Sequence, residues 1–394
     1  MLESGNEGYC ATSQAIRARI EKDLIILPKS ASLESRIQPS SFEPVIGDHL
    51  YVLDSDSGGL FRPNKNETVK RMLLRVPRRR RSLVGIEKGF ELKRGFHYLA
   101  PLEEKIILQE DEFVISSPKS SRGRLFLGNR LLSDYNASFD EVTQNVGEEI
   151  GLWLLLQPTK FNVIVYPGMT FNQLRFFKGD AELSDDEIRR ECLENPVLVY
   201  QDKDSFTNAE NEVRNGLKVH LDLLGKATAG VVGLRARNNP EPIDLSKRDF
   251  YSAEDFFEPL VSRQGEITIK PGEAALLSSK ETLRIPFYLN AELDRHSHLG
   301  IRGILHEAGF IDNGFLGDLV FEVISGESGE MVLRDGMPLS TISLFRTNGA
   351  PDKIYGEKIG SSYQRQTGPK PSNNFRKFDF AYAAKNYKKL DREV

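Results

Sequence analysis

The chain is patterned mostly in twos. Short runs of alternating apolar and polar residues are punctuated by Gly, Pro, Asn and Asp, the signature of half-buried strands joined by tight turns. The run 217–223 is one, with Leu217, Val219, Leu221 and Leu223 on one face. Another begins at Asp318. There Leu319, Phe321 and Val323 point one way, and Asp318, Val320, Glu322 and Ile324 the other. Glu322 therefore lies off the main core face, yet between two apolar neighbours. Helical patterning is confined to the neighbourhoods of 11–23, 183–194 and 253–261. In the second of these Ser184 is a plausible N-cap, with Asp185, Asp186 and Glu187 in the first turn. A mainly β, barrel-like fold with a few short helices is predicted.

Longer-range similarity modifies that picture. Residues 92–100 (LKRGFHYLA) echo 269–277 (IKPGEAALL), with Gly95 and Gly272 177 residues apart. Residues 166–169 (YPGM) echo 334–337 (RDGM), with Gly168 and Gly336 168 residues apart. Two echoes in one order at nearly one spacing indicate a duplicated domain. The division falls near residue 195, giving domains 1–195 and 196–394. The tail beyond residue 366 is polar and basic, and is expected to be mobile until it packs on a neighbour or ligand.

Composition narrows the classes of function. Hydrophobic content of 39%, charged content of 28% and a net charge of −4 are those of a soluble globular protein with no general attraction for nucleic acid. No apolar run reaches the length of a bilayer span, and residues 1–20 lack a signal-peptide pattern, so a cytoplasmic protein without a membrane partner is expected. Cys10 and Cys192 make neither a disulfide framework nor a zinc site. The run Arg78-Arg79-Arg80-Arg81 reads as a solvated basic turn, since no aromatic residues interleave it. His296 and His298, with His306 nearby, read as polar or substrate-facing rather than metal-ligating. The chain has no C-x-x-C of the kind zinc-dependent nucleobase deaminases carry, so zinc is not expected.

Candidate chemistry centres on 308–322, a glycine-bracketed hairpin followed by the Glu322 strand. A carboxylate set among apolar residues is suited to take a proton from water. The plainer reading is a strand Glu paired with a Lys or Arg. Resemblance separates the two. AGFIDNGFLGDLVFEV at 308–323, with MVLRDGMPLSTISLF at 331–345, resembles the core of the dCTP deaminase family, which belongs to the trimeric dUTPase-like nucleotide enzymes. Asp312, Gly314, Phe315, Gly317, Glu322, Gly336 and Met337 fall in register with its pattern. Tyr355-Gly356 followed by SSYQRQTGP at 361–369 resembles the family's closing segment, and IQPSSFE at 37–43 its opening. KSSRGRL at 119–125 is similar to its serine–arginine motif.

The resemblance implies two tandem dUTPase-like distorted β-barrel domains, of β-clip or jelly-roll type. It implies deamination of dCTP to dUTP and ammonia, with Glu322 activating water. The backbone of Ala308 and Gly309 would read the base edge, Phe315 would pack on the deoxyribose and Asp312 would hold its 3′-hydroxyl. Lys119, Ser120, Ser121 and Arg124 would serve the active site and its phosphates, and Tyr355, Tyr363 and Gln366 would seal them. Mg²⁺ would arrive bound to the triphosphate. Expected partners are dCTP or dUTP, dTTP as feedback inhibitor, and further copies of the chain, in trimers or multiples of three domains.

The halves divide this equipment. In the first, the strand that should carry the acid reads LWLLL at 152–156. In the second, the serine motif is altered to DRHSHLGIR at 294–302, where only Ser297 and Arg302 could serve. Either Ser120, Ser121 and Arg124 complete a composite site around Glu322, or C-terminal domains build sites of their own with Ser297 and Arg302. The composite is favoured because each half keeps what the other lacks. Three departures bear on affinity: Asn313 stands for the usual Pro, Glu307 for Thr, and Ser362 for the tail Lys, with Lys358 a nearby substitute. Rival readings are a dUTP pyrophosphatase, a bifunctional deaminase–pyrophosphatase forming dUMP, and a non-catalytic nucleotide-binding regulator. Against the first, Phe315 stands where a dUTPase has Tyr, and the glycine-rich dUTPase tail is missing.

Overall fold

Strands carry the fold, as the alternation predicts. The structure, a computed structural model, describes residues 8–28, 33–54, 62–202, 205–208, 212–295, 308–326 and 329–390. In the first half the hub is the long strand His97–Ile106, flanked antiparallel by His49–Leu53 and Ile150–Pro158. A second sheet orders Tyr9–Cys10, Asn172–Lys178, Glu112–Pro118 and Glu141–Val142. In the second half the hub is Ala274–Arg284, which pairs with Val231–Ala236, Leu198–Asp202 and Leu316–Ile324. A four-stranded sheet orders Leu217–His220, Pro338–Arg346, Leu289–Arg295 and Phe310–Ile311.

The sequence echoes are structural ones. Gly95, Gly272, Gly168 and Gly336 all adopt left-handed backbone, φ +85°, +72°, +77° and +73°. Gly95 and Gly272 each lie two residues before a hub strand, His97–Ile106 and Ala274–Arg284. A side chain there would be strained, which is why the turn residue recurs.

The 316–324 strand runs between two cores. Leu319, Phe321 and Val323 pack into the core of the second half, whereas Val320 and Ile324 pack against the core built chiefly by the first. The face that reads as outward in one half is thus an interior face of the whole chain, and Glu322 is buried in it, 1% exposed. Register identifies its counterpart. Glu322 pairs with Leu276 and Leu155 with Leu99, the two partners standing 177 residues apart. Leu155 packs beneath the helix Val69–Arg75, beside Met72 and Leu73. Where the second half holds a carboxylate, the first is filled by apolar packing.

Helices Ser13–Glu21 and Asp185–Glu194 form where expected, and the Ser184 N–H donates to Glu187 at the start of the second, 2.9 Å. The expected helix over 253–261 is corrected. It is helical only at Ala253–Phe256 and continues as the strand Phe257–Val261, because antiparallel pairing with Val231–Ala236 takes the backbone hydrogen bonds that a longer helix would need. The tail is corrected too. It packs on its own chain: the Gly368 N–H donates to Asp318 Oδ2 (2.9 Å), the Ser372 hydroxyl to the Ser121 carbonyl (2.9 Å), and Phe375 and Phe378 enter the core. Two buried aromatics, each contributing roughly 1.5–3 kcal/mol, anchor a segment whose polar composition suggested mobility. Arg78–Arg80 form a single 3₁₀ turn with no buried side chain, and Arg80 lies 3.5 Å from Asp54. Cys10 and Cys192 are buried free thiols. Among the described residues, no helix is long and apolar enough to cross a membrane.

Candidate active site

The short helix Ser120–Gly123 follows the strand Glu112–Pro118 and turns the motif 119–125 toward the second half. Opposite it stands the hairpin that begins at Ala308. Gly314 at its turn has φ +80°, and a Cβ there would lie 2.2 Å from Ile354, so only glycine fits. Asn313, in place of a proline, ties the hairpin down by donating to the Phe287 carbonyl at 2.9 Å.

Between these elements lies a cavity of about 290 Å³. It is lined from the first half by Lys119, Ser120, Ser121, Arg122 and Arg124, and from the second by Ala308, Gly309, Asp312 and Phe315. The tail closes it with Tyr355, Tyr363 and Gln366. Glu322 sits behind the wall. Its Oε2 accepts from the Ala308 N–H at 3.4 Å, and a Cβ on Gly123 would come within 3.2 Å of its carboxylate. The bare Gly123 is what lets the serine–arginine helix approach the acid. Ser297 and Arg302, with His296, His298, His306 and Glu307, lie outside the described residues.

Arg124 ties the first half to the tail. Buried, it donates to Gln366 Oε1 (2.9 Å) and the Lys370 carbonyl (3.0 Å), and its guanidinium lies 3.7 Å from the Tyr363 ring centre. Both bonds leave one nitrogen, Nη1, so it is the flat guanidinium stacked on Tyr363 that Arg supplies and Lys does not. Lys119 lines the cavity, but its ammonium is held by Glu43 and by the Thr170 hydroxyl (2.9 Å). Phe315 and Tyr355 meet edge to face, centres 5.6 Å apart.

Asp312 is buried with Oδ1 unpartnered. Burial, and next the charge of Glu43, push its carboxyl up to about 7. Since the folded form holds its proton more tightly than the unfolded chain, the contribution of this group to stability falls as pH rises from 3.8 towards about 7, and is level above. Asp312→Asn is expected to flatten that fall. Urea melts of both proteins at pH 5 and 7.5 check it, and equal slopes would reject it.

Reasoning from sequence missed several cavity residues. Arg122 stands where the motif has Leu; it is buried beside the Phe171 ring, and burial brings its pKa down to about 10. Glu43, in the opening motif 37–43, lines the cavity and pairs with Lys119. Arg175 supports the hairpin from behind, pairing with Glu292 and lying 4.6 Å from the Phe310 ring centre, while the Ser117 hydroxyl donates to Glu292 at 2.8 Å. An isolated Arg in an apolar strand (NQLRFFK, 172–178) was the available signal.

Comparison with known proteins bears on this site. Residues 7–180 match the family model "2'-deoxycytidine 5'-triphosphate deaminase (DCD) N-terminal domain", and residues 189–375 the corresponding C-terminal domain. A "dCTP deaminase, dUMP-forming" of Mycobacterium avium is 31% identical over 180 residues, 40% of this chain and 95% of that protein. The chain belongs to the dCTP deaminase family. A protein of the same name from Acidothermus cellulolyticus is 36% identical over 124 residues, 30% of this chain; the chain spans 65% of that relative's length. The crystal structure of 2'-deoxycytidine 5'-triphosphate deaminase from Agrobacterium tumefaciens superimposes with a TM-score of 0.78 at 26% identity, covering 88% of this chain and 99% of that one. The mainly β architecture is thus that of a solved dCTP deaminase.

Proposed function

We propose that this family member hydrolyses the 4-amino group of dCTP, with one composite site per chain assembled from two tandem domains that meet near residue 195. The observation that carries the reading is the position of Glu322, buried at 1% exposure and reached by both the hairpin backbone and the serine–arginine helix. Glu322 takes a proton from water as its oxygen bonds to C4 of cytosine. The proton returns to N3, and a second transfer lets the C4–N4 bond break, leaving dUTP and ammonia. A positioned base of this kind contributes roughly 10²–10⁴-fold. Backbone donors held rigidly at the hairpin, and cations around the phosphates, supply orientation and charge stabilisation.

Ala308 and Gly309 read the base, Asp312 and Phe315 hold the sugar, and Ser120, Ser121, Arg124, Tyr355, Tyr363 and Gln366 surround the phosphates. Among the described residues, no group of three or more His, Cys, Asp or Glu is placed to hold a metal ion. Mg²⁺ is proposed as part of the nucleotide substrate, ligated by its phosphates. Assembly in multiples of three domains, feedback by dTTP and a cytoplasmic location belong to the same proposal.

A second reading concerns the product. The relatives named above are called dUMP-forming, which favours onward hydrolysis of dUTP to dUMP and pyrophosphate over release of dUTP. Purified protein incubated with dCTP and Mg²⁺ is expected to release ammonia in step with dUMP and pyrophosphate. Accumulation of dUTP would restrict the activity to deamination, and absence of ammonia would reject the proposed function.

A further inference from the structure

Beside the site described above lies a second cavity of about 490 Å³, lined by Arg248, Arg365, Lys370, Arg376 and Lys377 with Asp249 the one acid among its lining residues. The two cavities share a wall made of Arg248, Ser362, Gln366 and Asn373. Two cations converge on Ser362. The Arg248 guanidinium donates to its hydroxyl at 3.3 Å, and the Lys370 ammonium to its carbonyl at 2.9 Å. Lys370 is half-buried and meets a carbonyl and, 5.5 Å from its ammonium, the Tyr363 ring centre, rather than a carboxylate. Burial, and next the charge of Arg124, lower its pKa, and Arg248 and Lys377 add to the repulsion against Asp249 alone. A half-buried cation crowded by cations is electrostatically incomplete, and a polyanion is the ligand chemistry that relieves it. Ser362 itself is neutral, so neither cation meets an opposing charge at the point where they converge. Lys358, by contrast, is exposed and lines neither cavity.

We propose that Lys370 and Arg248 bind the terminal phosphate of the nucleotide, the chain of phosphates running from Ser120, Ser121 and Arg124 across the shared wall at Ser362. This rests on the nucleotide triphosphate reading given above and assigns the cations that hold its far end. Lys370→Ala keeps the carbonyl that accepts from Arg124, so that hydrogen bond is not removed with the ammonium.

Calorimetric Kd values for dCTP, dCMP and inorganic tripolyphosphate test the assignment. Lys370→Ala and Arg248→Ala are each expected to weaken dCTP and tripolyphosphate roughly 10-fold, while leaving dCMP unchanged. Lys370→Arg is expected to keep most of the affinity, which separates lost charge from lost fold. Unchanged dCTP affinity in both alanine variants, or equal losses for dCTP and dCMP, would overturn the proposal. Wild-type protein that binds tripolyphosphate through these residues but neither nucleotide would sustain the anion site and reject the nucleotide reading. Binding of none of the three probes would reject both.

Discussion

Glu322→Gln is expected to lower the rate of ammonia release from dCTP by roughly 10²–10⁴-fold with little change in dCTP affinity. The substitution keeps the volume of a side chain that is 1% exposed, and the amide oxygen can still accept from the Ala308 N–H. What it removes is the capacity to take a proton from water and hand it back. The loss therefore falls on kcat and not on KM, the pattern of an interaction used in the transition state alone. Ammonia release and calorimetric dCTP binding, measured on the same preparation, check both halves of the expectation. A variant within 10-fold of the wild-type rate would remove Glu322 from the mechanism.

Arg124→Ala comes second in size, and it tests whether the site is composite. The guanidinium belongs to the first half, yet its partners Gln366, Lys370 and Tyr363 belong to the C-terminal tail. Truncation leaves Gln366 Oε1 without that donor and withdraws a positive charge from the end of the cavity proposed to hold the phosphates. Removing the cation from the buried pair it is proposed to make with a phosphate costs on the order of 2–5 kcal/mol, so kcat/KM for dCTP is expected to fall about 10²-fold or more. Arg124→Lys is expected to recover part of this, since charge returns without the planar fork. Thermal melts separate a loosened tail from a lost ligand. Wild-type kcat/KM in a folded Arg124→Ala variant would leave the helix Ser120–Gly123 outside the catalytic site.

How far the site could be read in advance differed from residue to residue. Ser184 and its three acids were legible because capping is local: the signal and the hydrogen bond lie within four residues. The glycines at 95, 168, 272 and 336 were legible because each answers to its own backbone angle. The extent of the 253–261 helix was not, since a strand partner some twenty residues earlier captured its second half. Phe375 and Phe378 lay in a tail whose composition is polar, and only the interior surface waiting for them made them anchors. Arg175 gave a faint signal, an arginine among apolar strand residues, but its partner Glu292 lies 117 residues away.

The sequence by itself determined the strand-rich texture, the internal echoes, the motifs and the family they belong to, because alternation, turn glycines and short motifs are properties of neighbouring residues. It also determined that one half carries the acid and the other both serines and the arginine of the serine–arginine motif. Only the tertiary structure set the two side by side, with Gly123 of the motif packed against the Glu322 carboxylate. The face of the 316–324 strand that carries Glu322 reads as an outer face within its own half, and it becomes an interior only when the first half packs against it. That packing depends on close approach at a bare glycine, Gly123, and on a tail folded back across both halves, so it is a property of distant surfaces fitting together and has no local signature.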